Sequence, residues 1–225
     1  MTIIFMIRHG QALHNVDHTS TTNEKSKLTE KGKNQAKITG QYLSRYNKET
    51  KFDLVITSDL IRTIETADII TKELNYKGDI LNLKLFNELG PQNLSPEIEQ
   101  GADKIMSEFR EKYKCDPIGY QMNFKDTMKT MDKKFKVKET VEHEHKKVLN
   151  MIKYLEKLKE KKILLVAHSG VISDIITEVL DLPFYVVPKG YGEKPSGNCG
   201  ITIFEIKDKN KWKMILPTST SHLDC

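Results

Sequence analysis

Three apolar runs in the sequence end on side chains that bind or move charge. "TIIFMI" runs into Arg8, His9 and Gly10, "FDLVI" into Thr57, Ser58 and then Arg62, and "ILLVA" into His168 and Ser169. A fourth stretch, "LNLKLF", leads into Glu88. Two guanidiniums and an imidazolium converging on one point form an anion trap, because forked N–H donors match phosphate oxygens. Two histidines allow a division of labour in which a neutral ring attacks phosphorus and a cationic one stabilises charge. A carboxylic acid can then protonate a departing alcohol and later take a proton from the attacking water. Protein cations balance the equatorial oxygens in such a scheme, which calls for no metal and no cofactor.

Whether these residues meet depends on the elements that carry them. Ile3 to Ile7, Leu54 to Ile56 and Ile163 to Ala167 are uninterrupted apolar runs, as strands buried on both faces should be. "DILNLKLFNELG" alternates apolar and polar residues and predicts a third strand ending near Phe86. Between these runs lie helical patterns. "LTEKGKNQAKITGQYLSRY" has Thr29 placed to cap it, with Ala36, Tyr42 and Leu43 near one face. Ser58 is placed to cap a helix from Asp59 to about Leu74, with Ile61, Ile64, Ala67 or Asp68, and Ile69 to Leu74 facing the core. Glu139 to Lys161 repeats Val141, Val148, Ile152, Leu155 and Leu158 at helical spacing, and "VISDIITEVLDLP" is a helix stopped by Pro183. "GITIFEI" and "KWKMIL" around "KDKNK" predict an antiparallel hairpin.

Strands alternating with helices imply an α/β fold, a three-layer α/β/α sandwich with a mainly parallel central sheet. Ligands of such sheets bind outside the carboxyl ends of the strands. Arg8 and His9, Ser58 to Arg62, the Phe86 to Glu88 stretch and His168 should therefore meet in one crevice. Arg62 would sit in the first turn of its helix, where backbone N–H groups and the helix dipole add to the attraction for an anion.

The chain of 225 residues is sized for one domain, residues 1–225, with an insertion at about 91–138 where the periodicity weakens. That insertion is expected to carry one or two helices and to roof the crevice. No apolar run approaches the roughly 18–20 residues a membrane span needs, and "TIIFMI" is too short for the core of an export signal. Cys115, Cys199 and Cys225 are odd in number and show no ligand spacing, so reduced thiols and a cytoplasmic location are expected. The net charge is +5, and residues 125–138 hold six Lys against two Asp. A solvated face is the ordinary reading of such a run, and no nucleic-acid-binding motif accompanies it. "EHEHK" at 142–146 places His143 and His145 about 200° apart on a helix, too far round to share one metal ion. His14 is left between a pocket-lining and a solvated role, His18 follows it in a loop, and His222 receives no role. Met122, Met128 and Met131 are expected to pack the insertion.

"RHG" after the first strand, "LTEKGKNQA", "TSDLIRTIETA" and "VAHSGVI" stand in the order and spacing of the histidine phosphatase superfamily, also called phosphoglycerate-mutase-like. The chain resembles that family over residues 3 to about 175. The resemblance implies that His9 is a phosphorylated nucleophile and that Arg8, Arg62 and His168 bind the phosphoryl group. It also implies a phosphate contact from Asn15, and Ser169, where the family more often has a second Gly, is a further candidate phosphate ligand. In this family the proton donor follows the third strand in an "LxE"-like setting, which "LFNELG" places at Glu88, with Glu97 and Glu99 as rivals. Gln11 stands where Glu is common, and "RHGQxxHN" is similar to the plant and fungal mutase-like branch of phosphatases. The segment after Glu88 has neither the "GxWEG" pattern of many small phosphatases nor the "ERHYG" pattern of true phosphoglycerate mutases. The implied activity is hydrolysis of a phosphomonoester, with a small phosphorylated molecule expected in preference to a phosphoprotein. Mutase-type phosphoryl transfer and a non-catalytic phosphate-binding module are the alternatives.

Overall fold

The apolar runs become neighbours in one sheet. The computed structural model describes residues 1–16, 25–46, 51–89, 96–112, 130, 133–135, 141–181 and 197–224. Among these residues six strands form a single sheet in the order β3-β2-β4-β1-β5-β6. Strands β1 (Thr2–Arg8), β2 (Leu54–Thr57), β3 (Ile80–Asn82) and β4 (Lys162–Ala167) run parallel. Strands β5 (Ile201–Asp208) and β6 (Lys211–Ser219) form the expected antiparallel hairpin, joined to the sheet through β1. The register sets Arg8 beside Ala167 and Thr57 beside Val166. Strands β1, β2 and β4 thus end level with one another, and His9, Ser58 and His168 follow at one edge of the sheet.

Alternation along the strands divides the core in two. Ile4 and Met6 of β1, with Ile163, Leu165 and Ala167 of β4, pack on one face against α5 (Val141–Leu155) and α6 (Ser169–Val179), together with Phe204 of β5. Ile7, Leu164 and Val166 point the other way, against Ala36 and Leu43 of α2 (Glu30–Tyr46) and Ala67 and Ile70 of α3 (Ile61–Glu73). The result is the three-layer α/β/α arrangement with a mainly parallel sheet. Two further helices, α1 (Leu13–Val16) and α4 (Pro96–Lys112), complete the helical elements that bear on the site and the insertion.

Local chemistry explains most element ends. Thr29 Oγ1 accepts the N–H of Gly32 at 3.1 Å and so caps α2 as expected. Asn75 (φ 51) ends α3 and Asp181 (φ 52) ends α6 in the left-handed region that closes many helices. Helix α6 therefore stops ahead of Pro183, which lies outside the described residues.

Four expectations change. The third strand is only three residues long, and Lys84–Phe86 form a 3₁₀ turn that drives Phe86 into the core at 0% exposure. Helix α5 spans Val141–Leu155 and ends six residues short of Lys161. Ser58 is not a helix cap: α3 begins at Ile61 with Leu60 at the cap position and no side-chain cap. The core-facing stripe of α3 is Arg62, Thr63, Thr66, Ala67, Ile70 and Thr71, so Ile61 and Ile64 are not its buried positions. The helix is rotated to bury polar side chains toward the strand ends.

Of segment 91–138, α4 and residues 130 and 133–135 are described. Cys115, Met122, Met128, Met131 and much of the lysine run lie outside the described residues, as do His18 and Cys225. No helix among the described residues is long and apolar enough to cross a membrane.

Candidate active site

The end of β1 is held from several sides. His9 donates its N–H to the Ala167 carbonyl at 3.0 Å, and the Cys199 N–H reaches the Arg8 carbonyl at 3.0 Å. Asn198 Nδ2 donates to the His9 carbonyl at 3.1 Å. The next N–H, of Gly10, donates to Thr66 Oγ1 at 3.0 Å, and the Thr66 hydroxyl donates to the Arg62 carbonyl at 2.6 Å. That chain locks the turn after β1 to the first turns of α3. Gly10 is required for a different reason than freedom to turn: a Cβ there would collide with the Gly32 carbonyl, and one on Gly32 would collide with the Gln11 backbone. The two backbones pass too closely for any side chain. Gln11 belongs to the same junction, since its Oε1 accepts the Thr29 hydroxyl at 2.9 Å and its N–H donates to Gln35 Oε1 at 2.9 Å.

Around that turn the charged groups are buried together. His9 is 1% exposed, and Arg62 and His168 are fully buried. The His9 ring centre lies 5.3 Å from that of His168 and 5.5 Å from that of His14. His9 Nδ1–H donates to the Gly10 carbonyl at 2.8 Å, which fixes the neutral tautomer and leaves Nε2 with its lone pair. Burial, then His168, Arg8 and Arg62, hold the His9 pKa well below the usual histidine value, against the pull of the Gly10 carbonyl. Burial, Arg62, Arg8 and His14 do the same to His168. Burial brings Arg62 down to about 10, so its guanidinium stays cationic at neutral pH.

Glu88 closes the other side at 8% exposure. Its carboxyl accepts the Leu89 N–H at 3.1 Å and also the N–H of Gly170, in the first turn of α6. A Cβ on Gly170 would stand 2.7 Å from Glu88 Oε1, so glycine makes room for the carboxyl there. Burial raises the Glu88 pKa, and Arg62, the two N–H groups and Arg8 only partly oppose it. A buried acid of raised pKa beside two guanidiniums has the profile of a proton donor.

The structure thus brings together Arg8, His9, Arg62, Glu88 and His168, the set anticipated from the strand ends. Among the rivals of Glu88, Glu97 is exposed on α4 and the Glu99 side chain lies outside the described residues. Ser169 opens α6 beside His168 and is half-buried. Asn15 is adjacent, but its amide is engaged by protein: Oδ1 accepts from the Ala12 N–H at 3.0 Å and from Asn198 at 3.2 Å, and Nδ2 donates to His14 Nε2 at 2.9 Å. His14 proves buried rather than solvated, at 4% exposure, with Nδ1 2.8 Å from Ser26 Oγ and its pKa lowered to about 4. His145 pairs with Glu178 at 2.8 Å across α5 and α6, and His222 is buried against Thr39 at 2.9 Å.

Two contributors escaped the sequence reading, Thr63 and Asn198, while Ser58 was placed in the crevice but only as a helix cap. Thr63 was visible only as a residue of the predicted helix in "TSDLIRT". Asn198 approaches from just before β5, a long-range contact that no local pattern signals.

Comparison with known proteins bears on the fold and the family. A phosphoglycerate mutase from Bacillus anthracis str. Sterne superposes with a TM-score of 0.73 at 18% identity, covering 99% of this chain and 95% of that one. A mutant phosphoserine phosphatase of Entamoeba histolytica, in complex with phosphoserine, superposes at 0.62 with 21% identity, covering 99% and 100%. At such identities the likeness shows the fold. In sequence, 109 residues are 38% identical to the mitochondrial serine/threonine-protein phosphatase Pgam5 of Drosophila willistoni, spanning 48% of this chain and 35% of that relative. The family profile described as histidine phosphatase superfamily (branch 1) matches residues 4–217, and the chain belongs to that superfamily.

Proposed function

We propose that the chain hydrolyses phosphomonoesters through a phosphohistidine formed on His9 Nε2. The observation that carries this reading is the fixed His9 ring, turned by the Gly10 carbonyl so that Nε2 holds the lone pair, among Arg8, Arg62 and His168. In the first step the Nε2 lone pair forms the N–P bond while the P–O ester bond breaks. Glu88, whose carboxyl burial shifts toward the protonated form, gives its proton to the leaving oxygen. In the second step the Glu88 carboxylate takes a proton from water as the new P–O bond forms and the N–P bond breaks. Arg8 and Arg62 offset the charge on the phosphoryl oxygens, the role a metal plays in other phosphoryl transfers.

Rapid-quench kinetics with p-nitrophenyl phosphate tests the scheme. The wild type should release a burst of p-nitrophenol with matching enzyme-bound phosphate, unchanged in the presence of EDTA. His9→Ala should show neither. A requirement for added metal, or normal turnover by His9→Ala, overturns the reading. The Pgam5 relatives are named for phosphoserine and phosphothreonine on proteins, whereas the sequence favours a small ester. A panel of phosphopeptides beside sugar and nucleoside phosphates separates these classes by kcat/KM.

A further inference from the structure

We propose that Ser58 and Thr63 are positioning residues whose hydroxyl chain holds the proton of His168 on Nε2 and thereby reserves Nδ1 for the phosphoryl group. The contacts allow one order of protons. Thr63 Oγ1 lies 2.7 Å from the Leu60 carbonyl and 3.1 Å from the Ser58 carbonyl, and carbonyls only accept, so the Thr63 proton is committed there. Ser58 Oγ lies 2.7 Å from Thr63 Oγ1, and the proton in that contact must then be the one on Ser58. With its own proton spent, Ser58 Oγ can meet His168 Nε2, 2.8 Å away, only as an acceptor. The Leu60 N–H also approaches Ser58 Oγ, at 3.3 Å, which suits an oxygen that is accepting. The opposite order, Thr63 to Ser58 to His168, would leave two oxygens 2.7 Å apart with no proton between them.

Burial makes this order binding. Ser58, Thr63 and His168 are each 0% exposed, so water offers no substitute partners. The other ring nitrogen, His168 Nδ1, is buried and has no hydrogen-bond partner among the described residues. An orphaned ring nitrogen in a crevice that also holds Arg8, Arg62 and His9 is an atom kept for a ligand. The ring facing these groups is neutral on its own, because burial and the nearby cations disfavour a further charge. A dianion reverses that field, and an unprotonated Nδ1 would repel its oxygens. His168 should therefore take one proton from solvent at Nδ1 as a dianion binds, and donate it to the bound oxygen.

The ligand half of this inference rests on the phosphatase reading, and the proton placement does not. The whole chain with ¹⁵N-labelled histidine is examined by two-bond ¹⁵N–¹H correlation at pH 7.5, with His168 assigned by its loss in His168→Gln. Wild-type His168 should be neutral with Nε2 protonated and Nδ1 of pyridine type. Ser58→Ala should show both tautomers and lose roughly tenfold or more in kcat/KM, whereas Thr63→Ser should retain the wild-type tautomer and Thr63→Val should not. A proton on Nδ1 in the wild type, or an unchanged tautomer in Ser58→Ala, overturns the placement. Calorimetry with tungstate, which carries no proton of its own at this pH, is run in two buffers of different ionisation enthalpy. Uptake near one proton per tungstate supports the ligand half, and no binding or no uptake overturns it. If the tautomer is as stated but p-nitrophenyl phosphate gives no burst, the phosphatase reading falls and the hydroxyl chain stands.

Discussion

His14 illustrates how a single buried side chain imposes a pH limit on this crevice. Nε2 accepts from Asn15 and Nδ1 faces Ser26 Oγ, so the ring is satisfied as a neutral donor–acceptor. Protonation would replace the Asn15 contact with donor against donor, and burial with Arg62 and Arg8 lowers the pKa to about 4. A histidine whose folded pKa is depressed contributes stability above its unfolded pKa and loses it as pH falls through the folded value. For His14 the window runs from about 6.5 down to about 4, and the loss is about 3 kcal/mol at most. His9 and His168 are shifted in the same direction. Urea midpoints measured from pH 7.5 to pH 4.5 should fall steadily in the wild type. His14→Gln should flatten the fall by close to one proton's worth of slope, and a parallel curve would show that His14 is not held neutral. The residue types Arg8, His9, Arg62 and His168 were legible in sequence because each directly ends an apolar run or opens the helix after one. His14 was not, because its burial depends on Ser26, which comes from a segment irregular in pattern.

At the scale of elements, the site depends on how closely the backbone after β1 approaches the start of α2. Gly10 and Gly32 each stand where a Cβ would enter the other segment's backbone. Backbone atoms cannot rotate away as a side-chain tip can, so Gly32→Ala must push α2 from the turn. Overpacking of this kind costs about 1–3 kcal/mol. Gly32→Ala should lower the unfolding free energy by that amount, read as a lower urea midpoint with little change in slope, and it should also reduce kcat/KM, since the displaced turn carries His9. A variant with unchanged stability and activity would mean the two segments separate freely. The existence and order of these elements could be read from periodicity, because uninterrupted runs such as Ile163 to Ala167 have few other solutions in a folded chain. The rotation of α3 could not. Apolar spacing favoured Ile61 and Ile64 as core positions, yet Arg62, Thr63 and Thr66 are the buried ones. The two threonines are held there by hydrogen bonds to Ser58, Gly10 and the helix carbonyls, which a hydrophobicity pattern does not register. The same blindness cast Ser58 as a helix cap.

In the whole molecule, stability and chemistry occupy different ends of the sheet, which makes them separable. Phe204 of β5 is fully buried in the cluster under α5 and α6, edge-on to Trp212 with ring centres 5.5 Å apart. It pairs with Ile4 across the β1–β5 ladder. His9 lies five residues further along, about 16 Å at the usual rise of a strand. Removing an aromatic side chain from such a core costs about 3–5 kcal/mol. Phe204→Ala should therefore lower Tm by several degrees or more, yet leave kcat at 20 °C within about twofold of wild type so long as the sheet still brings β1, β2 and β4 to a level edge. Ser58→Ala is expected to lose far more of its kcat/KM than its stability alone accounts for, since unpairing its buried partners costs only about 1–3 kcal/mol. Measuring both variants by thermal melts and by steady-state kinetics on one ester crosses the two axes. If Phe204→Ala loses kcat in proportion to its stability well below the melt, the cluster under α5 and α6 shapes the crevice directly, and the level strand ends are not enough to position His9.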